Sequence, residues 1–161
     1  MGRFHERESP VSERDKFTAA EWRTLQLAPF WMFSAVVGTY NRFDPLEYAA
    51  FVRCLEAAAA VPGQLGREVL TSVIADRDRL TQAYRADRRT IGVGLFEVSN
   101  ILAKTVPEEA AEFKGMLVSA IGEGIARARG RFGVQMSEED ADAVTLAAQL
   151  LAYDLEESHQ P

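Results

Sequence analysis

The chain has 161 residues, an apolar fraction of 47% and a charged fraction of 26%, which bounds it to one ordinary domain and excludes pervasive disorder. Its one cysteine, Cys54, excludes an intramolecular disulfide and a cysteine-based zinc site. The net charge of −6 is uneven: residues 1–91 carry 13 basic and 12 acidic side chains, residues 92–161 carry 5 and 12. That acidic surplus argues against nucleic acid as a partner, because neutralising phosphates needs positive charge.

Residues 1–17 are polar, dense in charge and without periodicity, and read as a flexible arm. Thr18 as N-cap with Glu21 three residues on makes a capping box, and Phe17 and Trp22 take the two staple positions around it. The first predicted helix follows, with Trp22, Leu25, Pro29, Met32 and Val36 on one face and Phe30, Phe33 and Val37 on a second, so most of it should be buried. Pro29 removes a donor in mid-helix and predicts a kink. An end near Tyr40-Asn41 is expected, since Asn tolerates a left-handed C-cap. Asp44-Pro45-Leu46-Glu47 opens a second helix with Asp as cap and Pro at its first position.

A third helix is expected from about Leu65 to Asp87 and a fourth from Ile91 to Lys104. Thr105-Val106-Pro107-Glu108 reads as another capping box, opening a long helix to about Arg129, and Ser137 with Asp140 caps the last. Gly92, Gly94, Gly115, Gly122 and Gly124 read as points of close helix approach. No useful stretch alternates with period two. The fold class is therefore all-α, a bundle of six to seven helices over 18–155, with 156–161 as a C-terminal tail. With no basic-then-apolar leader, a cytoplasmic location without membrane insertion is expected.

The halves echo one another: a Thr-capped long helix from Thr18 precedes an Asp44-capped one, and a second from Thr105 precedes one capped by Ser137. The segment from Trp22 to Phe51, with its Ala28-Pro29 step, and above all Thr39-Tyr40-Asn41-Arg42-Phe43-Asp44-Pro45-Leu46-Glu47, resembles the TerB-like (tellurite-resistance) helical family. The segment from Phe113 through Ser137 to Asp140 is similar to that family's second half, so the resemblance covers about residues 18–155. It implies an all-α fold, bacterial origin, a role in tellurite or wider chemical-stress response, metal-linked signalling near the membrane, and no established enzymatic activity. Asp44, Glu47, Ser137 and Asp140 match its pattern. Tyr40-Asn41 stands where the family usually has Asp-Gly, and Arg129 takes the corresponding place in the second half; both departures are unfavourable to a cation.

Three classes of chemistry remain open. Asp44, Glu47, Glu123 and Asp140 are the candidate ligands for a divalent cation, either modulating a contact protein or serving a metal-dependent enzyme. The capping geometry at Asp44 and Glu47 explains that pair without metal, and Glu138, Glu139, Asp140 and Asp142 suit a helix N-terminus. Arg77, Arg85, Arg88 and Arg89 are the candidate anion or partner surface, interleaved with Asp76, Asp78 and Asp87 as a solvated ion-paired face would be. Stress-response or membrane-associated protein partners are what the TerB-like resemblance implies, whereas an adaptor using the arginine surface would bind an anion or an acidic partner. It could also pair with the acidic half of a second copy as a homo-oligomer. His5 and His159 fall in the tails and Cys54 on a core-side helix, so nucleophilic triads and a di-iron centre have no support.

Overall fold

A computed structural model describes residues 12–38, 44–60, 63–129 and 137–153. Among them the fold is all-α, a bundle of seven helices. These are α1 (Ala19–Val37), α2 (Pro45–Ala58), α3 (Gln64–Ala75), α4 (Arg77–Ala86), α5 (Ile91–Thr105), α6 and α7 (Glu138–Leu150). The helix α6 spans residues 107–129 in three consecutive parts: Pro107–Gly115, a π-helical segment Met116–Glu123, and Gly124–Arg129.

The organising element is α1, which packs against α5, α6 and α7 and also touches α2, α3 and α4. Its composition explains this position: Leu25, Ala28, Phe30, Met32 and Phe33 are wholly buried on different sides of the helix. Aromatic rings fill the space toward α2 and α4. Phe33 stacks on Phe51 with centroids 4.6 Å apart, and Phe30 stacks on Tyr84 at 5.4 Å. The Tyr84 hydroxyl donates to buried Ser34 Oγ at 2.6 Å, satisfying both.

The start of α1 is built as the residues imply. Glu21 N–H donates to Thr18 Oγ1 at 3.1 Å, Thr18 N–H to Glu21 Oε1 at 2.9 Å, and Phe17 lies 5.9 Å from the Trp22 ring. The helix continues through Pro29 without interruption and ends at Gly38, whose φ of 77° is the left-handed cap that glycine adopts without strain. The end expected near Tyr40-Asn41 is thus corrected to Gly38, and those two residues lie outside the described ones.

Three further expectations are corrected. Residues 12–17 are not part of a loose arm, because Glu13–Lys16 forms a 3-10 turn held against α3; residues 1–11 lie outside the described residues. The single third helix divides at Asp76, whose backbone leaves helical geometry at φ −120°, ψ 31°. Thr105 is the last residue of α5 and caps nothing; Val106 starts α6 without a side-chain cap and Pro107 supplies the preset φ. That removes one of the two Thr caps on which the internal echo rests, though Asp44 and Ser137 do cap α2 and α7.

The glycines work as expected at three contacts. A Cβ at Gly94 would clash with the Trp31 ring, one at Gly122 would meet Met32 Cε at 2.7 Å, and one at Gly124 would meet Cys54 Sγ at 3.0 Å. They set α5 and α6 close against α1 and α2. No helix among the described residues is long and apolar enough to cross a membrane.

Candidate functional site

The four carboxylates proposed as metal ligands divide among three local jobs. Asp44, N-cap of α2, accepts from Leu46 N–H at 2.8 Å and Glu47 N–H at 3.2 Å. Glu123 pairs with Arg127 at 3.6 Å along its own helix. Glu47 and Asp140 do come together, but on a guanidinium: Arg129 Nε lies 3.1 Å from Glu47 Oε2, and its Nη1 lies 3.4 Å from Asp140 Oδ1. The same Nη1 donates to the Val36 carbonyl at 2.6 Å. Among the described residues, no three His, Cys, Asp or Glu side chains gather as a metal ion would require.

Arg129 thereby joins the ends of α1 and α6 to the starts of α2 and α7. A cation beside the last carbonyls of α1 opposes the negative end of that helix dipole. Arg forms several directed bonds at once, a task for which a Lys point charge is poorly suited. The matching position read from sequence as unfavourable to a bound cation holds a cation of its own.

Beside this clip lies an open groove of about 540 Å³ between α2 and the end of α6, lined on the α2 side by Asp44, Leu46, Glu47, Ala49 and Arg53. Leu46 is 81% exposed, the largest exposure among the large apolar side chains described. Its position follows from the cap: Asp44 and Pro45 fix the first turn of α2, which aims the second helical residue outward while Tyr48 and Phe51 turn inward. A second hollow of about 370 Å³ is lined by Pro45, Tyr48, Asp78, Thr81, Gln82 and Arg85.

The arginine surface is also reassigned in part. Arg89 is structural: its guanidinium pairs with Asp87 at 2.8 Å and Glu97 at 2.6 Å, donates to Thr24 Oγ1 at 3.0 Å, and lies 4.9 Å from the Trp31 ring centroid. The Arg89 hydrogen bonds hold the Asp87 carboxyl below its usual range, against partial burial. Arg88 is exposed, Arg85 faces the second hollow, and Arg77 is half-buried with its Nε lacking a hydrogen-bond partner. Arg89 thus leaves the set expected to form an anion or partner surface. Cys54 is half-buried against Gly124, and burial raises its thiol above the usual range despite Arg53, so it packs as a small apolar group.

Comparison with known proteins finds no matching family model, no matching curated protein and no matching solved structure.

Proposed function

We propose that this chain is a non-catalytic helical module of the TerB-like kind, serving chemical-stress response through protein contacts in the groove beside α2. The observation that carries this reading is the exposed Leu46 standing in a groove whose polar rim, Glu47 and Arg129, is held by the four-element clip. A large apolar side chain on a fixed helix start, next to exposed Arg53, suits a partner that presents an apolar anchor and an acidic group. The carboxylates an enzyme would need are engaged in capping and pairing, which favours contact over catalysis.

A photo-crosslinking residue at position 46 tests this in cells challenged with tellurite. The expected result is a discrete protein adduct that is absent when the probe sits at Leu146, which is 58% exposed. Equal labelling from both positions overturns the groove as the contact. A weak divalent cation at Asp44 and Glu47 would have to draw Glu47 from Arg129 and find ligands beyond this pair. Calorimetric titration of metal-stripped protein with calcium, manganese and zinc tests it: heat that Asp44→Ala abolishes supports the cation, and no heat in either protein removes it.

A further inference from the structure

The 3-10 turn Glu13–Lys16 is fastened to the bundle almost wholly through carboxylates. Glu68 on α3 accepts from Ser12 Oγ at 2.9 Å and from Glu13 N–H at 2.9 and 3.1 Å. Gln64 donates to the same carboxylate at 3.0 Å. Glu13 itself turns inward, with only 5% of its side chain exposed. Lys16 lies 3.0 Å from Glu13 Oε2 and 3.5 Å from Glu109 Oε2, so one ammonium spans the turn and α6. The other Glu13 oxygen, Oε1, is buried and has no hydrogen-bond donor.

A buried carboxylate oxygen without a donor is costly, whereas a proton placed between two neighbouring carboxyl groups satisfies it at once. We propose that Glu13 and Glu109 hold one proton between them, forming a latch that fastens the turn to α3 and α6 and loosens when that proton leaves to solvent. With the proton present, Glu109 donates to Glu13 and Lys16 balances the single remaining charge. Without it, two carboxylates share one ammonium and Glu13 Oε1 has nothing to accept. Desolvation and then the Glu13 side chain raise the Glu109 pKa, consistent with this arrangement.

The surrounding charges do not replace the missing donor. Glu68 is committed to the turn's donors, and Lys104 of α5 pairs with Glu21 of α1 at 2.5 Å. Arg67 and Glu112 line a shallow hollow with Glu109, while Arg14 and Asp15 are exposed. Because the latched state favours the protonated form, its advantage is complete below the ordinary glutamate range and is lost as pH rises through the raised Glu109 value. Loosening would withdraw Phe17 from Trp22.

Hydrogen exchange of the full chain, corrected for intrinsic rates, reads the latch at the amides of Asp15 and Phe17, which close the turn on Ser12 and Arg14. Protection in the native chain should fall about tenfold or more between about pH 5 and about pH 8, as the shared proton leaves. In Glu109→Gln, which donates permanently, protection should stay high throughout. A pH-independent native chain, or an unchanged fall in the variant, overturns the latch. Carbon-13 titration of the Glu109 carboxyl in the native chain stands independently of the variant's folding. A midpoint above the ordinary glutamate range that coincides with the loss of protection supports the latch, and an ordinary midpoint overturns it.

Discussion

Arg129 and Gly94 show how much of this molecule hangs on single residues. Arg129→Ala removes charge-assisted bonds to two carboxylates and a helix-end carbonyl, and leaves Asp140 and the Val36 carbonyl short of a donor. The expected loss is about 1–3 kcal/mol in urea unfolding, and Arg129→Lys should restore only part of it. Gly94→Ala drives a methyl into Trp31 and should cost about 1–3 kcal/mol, read as a lowered thermal midpoint with a perturbed near-ultraviolet tryptophan signal. Asp87 carries the pH consequence: its folded pKa is lowered, so its contribution is present above the unfolded value and lost as pH falls through the folded one. Asp87→Asn should therefore flatten the acid side of the stability profile, with little further loss at the lowest pH.

The helices differ in how their ends are secured, and the difference is measurable. Thr18 closes a complete capping box, whereas α3 begins at Gly63 and α6 at Val106 with no side-chain cap. Thr18→Ala should cost about 1 kcal/mol and fray the first turn of α1, seen as faster exchange at Glu21 N–H. Caps of this kind were legible because they depend on three or four consecutive residues, and Thr18, Asp44 and Ser137 all act as their spacing implies. Where local patterns compete, the reading failed. Thr105-Val106-Pro107-Glu108 has a plausible cap, but α5 continues through Thr105 because Leu102 and Val106 are buried in the core, and burial outweighs a cap. The π-helical segment had no visible signature. Its buried residues, Met116, Leu117, Val118, Ile121 and Gly122, sit in a segment packed against α1, α2 and α7, and a regular helix enclosed on several sides carries the same pattern.

At the scale of the whole molecule, α1 belongs to no single half. It contacts elements from both ends of the chain, and the Arg129 clip closes the first two helices onto the last two. Neither pseudo-repeat should fold alone. Urea unfolding followed by tryptophan fluorescence and by far-ultraviolet circular dichroism should give coincident single transitions, while separated curves would show an independently stable half.

Apolar spacing and caps by themselves determined the all-α class and the burial of α1 on most sides, because periodicity acts within a few residues. Which charges meet was decided only by tertiary structure. Glu47 and Asp140 lie 93 positions apart in sequence and become neighbours through Arg129, and Arg89 leaves the expected surface to cover Trp31. Long charged side chains reach several ångströms in many directions, so their partners depend on how helices are stacked, which no local spacing records.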